Sequence, residues 1–209
     1  MVHYKLTYFD VRGYAEPSRM LLTLAGIPFE DIRYGNDDGK WEEDKNKFPF
    51  GQLPVLNIDG FEIPQSSSIA RYLANKFGYA GKTLEEKAWA DAIVDQMKDF
   101  VEQLYELVLA QRAKKPEEEI ERIRKEVYIP AREAYFKIIK KRLESSASGY
   151  LVGDGLTWAD LVVANNLYTL QHNGYYTPDD EPQIKQFYEM INATPVLKEY
   201  LDNRKHTDF

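Results

Sequence analysis

The sequence contains no cysteine, and this absence excludes disulfides, cysteine nucleophiles, thiolate metal sites and Cys-x-x-Cys redox chemistry. Any thiol chemistry would therefore need a thiol supplied by a ligand. Histidine is also scarce. The three that occur, His3, His172 and His206, are too scattered to predict a metal or haem ligand.

An excess of positive charge is missing as well, since 27 Lys and Arg stand against 34 Asp and Glu, for a net charge of −7. Nucleic acid and anionic membranes both require a basic surface, so neither is an expected partner. The sequence also lacks an apolar run of membrane-spanning length and an apolar signal-peptide region at its start. We therefore expect a cytoplasmic protein. With 209 residues, 44% of them hydrophobic, it can form one or two domains with a full core.

A hairpin followed by a helix is the most informative local pattern. Val55–Ile58 and Phe61–Ile63 are predicted strands, and Asp59–Gly60 between them has the composition of a type I′ turn. A helix is expected directly afterwards, with Ser66 or Ser67 capping its free backbone N–H groups. Such a helix start is a potential anion site.

The first 35 residues predict a strand, a helix and a second strand. Alternation in Tyr4–Phe9 indicates a strand, and Pro17 and Gly26 mark the start and the end of a helix. Ile27–Tyr34 is the second predicted strand. Because a crossover helix joins parallel strands, the pattern predicts a small mixed-sheet α/β domain, with the polar segment 35–47 placed before the hairpin.

Strand signals disappear after residue 83. A long amphipathic helix is predicted at Leu84–Gln111, and a second at Glu117–Leu143 with a kink at Pro130. Thr157 is placed to cap a further helix, with Asp160 reaching back from the third helical position, so Asp160 is interpreted as a cap and not as a catalytic acid. Two shorter helices are predicted near Gln183–Asn192 and Pro195–Asn203.

Several motifs, in this order, resemble the cytosolic glutathione transferases over the whole chain. They are Tyr4–Phe9, Arg12–Gly13, Pro49–Pro54, Asp59–Gly60, Gln65–Ser67, Ile69–Leu73, Asp91–Asp95 and Leu156–Asp160. Within this family the sequence resembles the sigma-type group, which includes haematopoietic prostaglandin D synthase, and Phe9–Tyr14 resembles the nematode members. The resemblance implies a thioredoxin-like domain of order β-α-β-α-β-β-α in residues 1–78, a linker at 79–84 and an all-α domain in residues 85–209.

By this resemblance, Tyr8 is the catalytic residue, and its hydroxyl hydrogen-bonds the glutathione sulfur. Without the motif, Tyr8 would be interpreted as one packing residue among 15 tyrosines. A cysteine-like thiol with a pKa of about 8.5 needs about 2.7 kcal/mol of preferential thiolate stabilisation to lower that pKa by two units. One hydrogen bond to a charged group contributes about 1.5–3 kcal/mol. A single protonated tyrosine could therefore supply much of the effect as a donor.

The resemblance also implies further contacts with glutathione. They come from Trp41, Lys45, Gln52, Leu53, Pro54, Gln65, Ser66 and, from the partner subunit of a homodimer, Asp99. A cis peptide bond at Pro54 would turn the backbone of Leu53 toward the tripeptide, and Gln65 and Ser66 would hold the γ-glutamyl carboxylate at the helix start. From the residues alone, these positions also fit a turn proline, helix caps, an exposed amphipathic turn and one acid on a charged helix.

The resemblance predicts an enzyme that uses glutathione as a co-substrate, without a tightly bound cofactor, and joins it to apolar electrophiles in detoxification. Candidates for the acceptor pocket are Phe9, Tyr14, Tyr105 and Phe209, which could equally be packing residues. The sigma-type pattern often has arginine at the position of Tyr14, so rate and pH optimum are in question. Two alternative functions stay open: a ligandin-like carrier of haem, bilins or lipids, and a glutathione-dependent prostaglandin isomerase.

Overall fold

The structure, a computed structural model, describes residues 2–35, 39–207 and 209. Met1, Asn36–Asp38 and Asp208 lie outside the described residues. The polar segment predicted for residues 35–47 is therefore described only at Gly35 and from Gly39 onward.

A four-stranded mixed sheet forms the first part of the chain. Its strands are β1 (Tyr4–Phe9), β2 (Phe29–Tyr34), β3 (Val55–Ile58) and β4 (Phe61–Pro64), in the order β2-β1-β3-β4. The pair β1 and β2 is parallel, whereas β3 is antiparallel to both of its neighbours. Strand β2 begins two residues later than predicted because Pro28 has no N–H to donate to the ladder.

The hairpin turn has the predicted geometry. Asp59 and Gly60 have φ angles of 50° and 94°, and a type I′ turn requires positive φ at both positions. The Asn57 side chain accepts a hydrogen bond from the Gly60 N–H at 3.0 Å. This turn fixes the register in which Ile58 lies opposite Phe61.

Three helices accompany the sheet: α1 (Glu16–Leu24), α2 (Lys40–Asp44) and α3 (Ser66–Phe77). The apolar positions of α1 and α3 pack on the sheet in one core, which includes Leu6, Leu21, Leu56, Ile69 and Leu73, all fully buried. The prediction that Ser66 or Ser67 caps α3 is wrong. Ser66 is already the first helical residue, so the cap position falls to Gln65, whose side chain makes no capping hydrogen bond.

All regular elements described after residue 83 are helical. They are α4 (Leu84–Arg112), α5 (Glu117–Ile123), α6 (Ile129–Glu144), α7 (Trp158–His172), α8 (Pro182–Asn192) and α9 (Pro195–Asn203). A π-helical turn, Arg124–Tyr128, joins α5 to α6 in place of the predicted simple kink at Pro130. Proline lacks the N–H that would continue an α-helical ladder, and a wider turn before it accommodates that gap. The predicted α/β part followed by an all-α part is confirmed.

The start of α7 is fixed by a buried carboxylate, as predicted. One oxygen of Asp160 accepts hydrogen bonds from the Thr157 N–H and hydroxyl, both at 2.7 Å, and the other accepts from the Leu151 N–H at 2.8 Å. Asp160 is fully buried, so its interpretation as a cap is confirmed. Trp158 directly follows the cap residue Thr157. Its N–H donates to the carbonyl of Tyr79 at 2.9 Å and so connects α7 to the segment after α3.

Candidate active site

A cavity, which we call the large cavity, lies among the helices beside the loop that follows β1. Its empty space, including the part that is open to solvent, is about 790 Å³. Its walls come from the start of α1 and from α3, α4 and α7, and most of its lining is apolar. The apolar residues are Ala70, Val94, Met97, Val101, Leu104, Val108, Trp158 and Val162. Such a cavity suits an apolar ligand with few polar groups.

Three of the four predicted acceptor residues line this cavity: Tyr14, Tyr105 and Phe209. The fourth, Phe9, lies elsewhere, with its ring centroid 5.5 Å from that of Tyr8 and 5.3 Å from that of Trp41. The structure therefore gathers tyrosines from α4 and from the loop after β1 around one apolar space, and it places Phe9 in a neighbouring aromatic cluster.

A second pocket adjoins the cavity, and we call it the smaller pocket because fewer residues line it. Its lining includes five residues that the sequence predicts as glutathione contacts, namely Gln52, Leu53, Pro54, Gln65 and Ser66. Ser66, Tyr14 and Lys98 line both spaces, so the two pockets form one cleft. The polar side of the cleft thus lies next to its apolar side, an arrangement that can hold a peptide-like molecule beside an apolar one.

The backbone around the smaller pocket has two unusual conformations. The expected cis peptide bond is present between Leu53 and Pro54. Gln65 has a φ angle of 74°, which is uncommon for a residue with a side chain and tends to occur at ligand sites. The Gln65 amide donates to the side-chain oxygen of Gln52 at 3.3 Å, so these two predicted contacts lie together.

Lys98 and Glu102 on α4 also line the smaller pocket, although the sequence did not single them out. They lie four residues apart and follow Val94 on the same helical face, within a stripe that continues to Tyr105. Charged residues inside a stripe that otherwise lines a cavity are the signal that could have identified them. They give the pocket wall one positive and one negative charge.

Tyr8 lies near the carboxyl end of β1 and is 7% exposed. Its hydroxyl oxygen accepts a hydrogen bond from the backbone N–H of Tyr14 at 3.3 Å. Burial raises the pKa of Tyr8 above its ordinary value, more than the Tyr14 N–H lowers it. Tyr8 is therefore protonated at neutral pH and can donate a hydrogen bond. Gly13 and Tyr14, which adjoin its hydroxyl, both line the large cavity.

Of the remaining predicted contacts, Tyr8 lies beside the cleft but is not among its lining residues, and Trp41, Lys45 and Asp99 are not gathered into it. Trp41 packs in an aromatic cluster, with ring centroids 5.7 Å from that of Tyr34 and 5.8 Å from that of Phe48. Lys45 pairs with Glu42 at 2.6 Å. Asp99 is exposed on α4. None of these three predicted residues is among those that line either described pocket.

Within the described ranges, three or more His, Asp or Glu side chains are nowhere grouped so that they could hold a metal ion. The same part of the chain contains no helix with the length and apolar character needed to cross a membrane. The cleft itself is lined by hydroxyl, amide, backbone and charged groups around an apolar space.

A sheet of this topology, followed by helices that form a cleft, defines the class of proteins in which a thioredoxin-like fold precedes an all-α part. The family model for the glutathione S-transferase N-terminal domain matches residues 4–75, and the model for the C-terminal domain matches residues 98–204. The chain therefore belongs to the glutathione S-transferase family.

Relatives and solved structures agree with this family over the full chain. Glutathione S-transferase 3 of Caenorhabditis elegans is 49% identical, with all of both chains covered. A glutathione S-transferase structure from the same organism is 47% identical, with a TM-score of 0.91 over 99% of this chain and 100% of that one. A monomeric glutathione S-transferase of Necator americanus, covered to the same extents, is 43% identical with a TM-score of 0.90. A Nu-class transferase of Haemonchus contortus has the same identity and TM-score, with all of both chains covered.

Proposed function

We propose that this glutathione transferase binds glutathione in the smaller pocket and that the Tyr8 hydroxyl stabilises its thiolate. The thiolate then attacks an electrophilic carbon of an apolar acceptor in the large cavity. The observation that carries the proposal is the hydrogen bond from the Tyr14 N–H to the Tyr8 oxygen. Because that oxygen already accepts a hydrogen bond, the phenolic proton is free to be donated to another group.

The size of the required effect fits one donor. Without cysteine in the chain, the reactive thiol must come from glutathione, whose thiol is only a few per cent ionised at neutral pH if its pKa is about 8.5. A tyrosine donor contributes about 1.5–3 kcal/mol when it bonds a charged acceptor. A pKa decrease of about one to two units follows from one such hydrogen bond.

The smaller pocket supplies groups for the rest of the tripeptide. The backbone of Leu53 can pair with the backbone of glutathione as an added strand does. Gln65 and Ser66 lie at the start of α3, where free N–H groups favour a carboxylate. Lys98 and Glu102 on the opposite wall add charges of both signs. Contacts from Trp41 and Lys45 stay predictions.

Replacement of Tyr8 by phenylalanine tests the proposal. The loss of a charge-assisted hydrogen bond should lower kcat/KM for conjugation of 1-chloro-2,4-dinitrobenzene by about 10- to 100-fold, because about 1.4 kcal/mol corresponds to a factor of ten. Affinity for glutathione, measured by fluorescence titration, should change by less than about threefold, because the binding groups in the smaller pocket remain.

Tyr4→Phe is the matched control, since Tyr4 lies on the same strand and is similarly buried, but packs against Phe77 at the other end of β1. It should retain wild-type turnover. Unchanged turnover in Tyr8→Phe would remove Tyr8 from its proposed role.

A homodimer is proposed as the working assembly. A salt bridge between Arg71 and Asp91 at 2.9 Å joins α3 to α4, and these helices expose Tyr72 and Trp89. Exposed aromatic side chains of this kind are common at protein interfaces. Asp99 would then contact glutathione bound to the partner subunit. Because the similar Necator transferase is monomeric, the number of subunits in this protein has to be measured in solution.

A second candidate function, isomerisation of a prostaglandin endoperoxide with glutathione returned unchanged, is favoured by one comparison. Prostaglandin synthase D of Nilaparvata lugens is 28% identical, with a TM-score of 0.86 over 98% of this chain and all of that one. Product analysis with a prostaglandin endoperoxide would separate isomerisation from conjugation. Sigma-type membership, carriage of haem or lipids, a cytoplasmic location and domain boundaries at residues 79–84 stay predictions.

A further inference from the structure

The loop between β1 and α1, which carries the Tyr14 N–H, is held by a residue of the helical domain. Asn165 on α7 is buried, and its side-chain oxygen accepts a hydrogen bond from the Arg12 guanidinium at 3.1 Å. Its side-chain nitrogen donates to the carbonyl of Gly13 at 3.2 Å. Asn165 thus contacts two successive residues of the loop, 152 and more positions away in sequence.

The second of these contacts reaches the Tyr8 hydroxyl through one peptide group. The Gly13 carbonyl and the Tyr14 N–H belong to the same planar peptide unit. The Asn165 side chain donates to the Gly13 carbonyl oxygen of that unit, and the Tyr14 N–H of the same unit donates to the Tyr8 oxygen. A hydrogen bond to a carbonyl polarises the peptide, so the N–H on the other side becomes a stronger donor.

We infer that Asn165 is a positioning residue for the transfer reaction. It orients and polarises the Gly13–Tyr14 peptide toward Tyr8, and this peptide keeps the phenolic proton directed at the glutathione sulfur. The inference rests on the role of Tyr8 under the proposed function. It gives the helical domain a part in ionising the thiol, in addition to forming the acceptor cavity.

The two contacts of Asn165 can be separated because Arg12 has other partners. The Arg12 side chain also donates to the Thr169 hydroxyl at 3.2 Å and to the Thr207 carbonyl at 3.3 Å. Loss of Asn165 therefore leaves Arg12 anchored but leaves the Gly13 carbonyl without its amide donor. Asn165→Asp keeps an acceptor for Arg12 and loses that donor, whereas Asn165→Leu loses both without adding charge.

The test measures the pKa of the enzyme-bound glutathione thiol by ultraviolet titration of the thiolate. Both Asn165 variants should raise this pKa by about 0.3–1 unit, the effect expected from one neutral hydrogen bond. The KM for glutathione should stay within about twofold, since the groups of the smaller pocket are unchanged. Val163→Ala is the control on the same helix. Val163 is fully buried and lines neither pocket, so its truncation should lower the Tm and leave the thiol pKa unchanged.

A double-mutant cycle distinguishes positioning from general loosening of the fold. Asn165 also lines the large cavity, so the cycle uses the thiol pKa, which is measured without an acceptor. If Asn165 acts through Tyr8, Asn165→Leu should change this pKa by less than about 0.2 unit when Tyr8 is already phenylalanine. An equal effect in both backgrounds would overturn the inference, as would folded Asn165 variants with a wild-type thiol pKa. If the leucine variant does not fold, Asn165→Asp can replace it in the same double-mutant cycle.

Failure of the inference is distinguishable from failure of the proposed function. A thiol pKa that is unaffected by Tyr8→Phe would contradict the role of Tyr8 itself. A normal effect of Tyr8→Phe together with no effect of the Asn165 variants would contradict only the role of Asn165.

Discussion

Gly13 lies where a side chain would meet the Tyr8 hydroxyl. A Cβ atom at this position would be 2.7 Å from the Tyr8 oxygen, and the φ angle of Gly13 is +41°. Gly13→Ala should therefore displace either the loop or the phenol, and it should lower kcat/KM for conjugation by at least about tenfold, the loss expected when a charge-assisted hydrogen bond is disrupted. Kinetics and thermal unfolding of the purified variant would measure both effects.

The control for this prediction is Gly26→Ala. Gly26 has a φ angle of +64°, but a Cβ there would meet no atom within 4 Å. Its substitution should cost stability of about 1 kcal/mol through backbone strain while leaving turnover intact. Equal activity of the two alanine variants would show that the space beside the Tyr8 hydroxyl is not needed.

At Tyr14 the backbone N–H, and not the identity of the side chain, provides the hydrogen bond to Tyr8. Its departure from the arginine of the sigma-type pattern put the tuning of Tyr8 in question. In the structure the group that contacts Tyr8 is the backbone N–H of Tyr14, which any residue except proline would supply. The motif could identify Tyr8 as a candidate, but a backbone donor cannot be recognised from the type of residue at its position.

At the scale of elements, the start of α7 predicts a pH dependence of stability. Burial raises the pKa of Asp160 to about 6, above the value of 3.8 for an unperturbed carboxyl group. The proton that Asp160 holds in the folded state contributes fully to stability below about pH 4, and this contribution is lost as the pH rises through 6. Asp160→Ala should be destabilising throughout because the Leu151 and Thr157 N–H groups lose their acceptor.

The loss of unfolding free energy in Asp160→Ala should be larger at about pH 5.5 than at about pH 7.5, by about 1 kcal/mol. Denaturant titrations at the two pH values measure this difference. Asp154→Ala is the control, because Asp154 is exposed, pairs with Lys82, and has a pKa below its usual range. A destabilisation by Asp160→Ala that did not vary with pH would contradict the raised pKa.

Helices and strands with a clear period could be predicted from the sequence, as the bounds of β1, β3 and α4 show. The cap of α3 and the turn before Pro130 could not. Gln65 takes its positive φ from the junction between β4 and α3. Pro130 predicts some irregularity, but whether it is a kink or a π-helical turn depends on how α5, α6 and the turn between them pack against α4. Local propensity contains neither kind of information, since tertiary contacts decide both.

At the scale of the whole molecule, the cleft combines residues that are far apart in the chain. The sequence could supply Gln65 and Ser66 because a short motif contains them. Lys98 and Asn165 were missed because each is one polar residue on a long helix, and only the tertiary packing of α4 and α7 brings them to the candidate site. The docking of the two domains therefore completes the site.

In the proposed dimer, Asp99 is predicted to contact glutathione that is bound to the partner subunit. This side chain is exposed on α4, whereas its neighbours Lys98 and Glu102 line the smaller pocket of their own subunit. If Asp99 contacts glutathione across a two-fold interface, Asp99→Ala should raise the KM for glutathione by about tenfold, as expected for loss of a charge-assisted contact. Tyr8→Phe should in contrast lower kcat.

Refolding an equal mixture of Asp99→Ala and Tyr8→Phe subunits tests the interface directly. A mixed dimer has one site with Tyr8 from the first subunit and Asp99 from the second, and random pairing makes about a quarter of all sites fully competent. Activity at low glutathione should therefore rise above that of either variant alone. Sedimentation analysis must show a dimer in the same buffer. A monomer, or a mixture whose activity is only the average of its components, would place the function of Asp99 within its own subunit or outside catalysis.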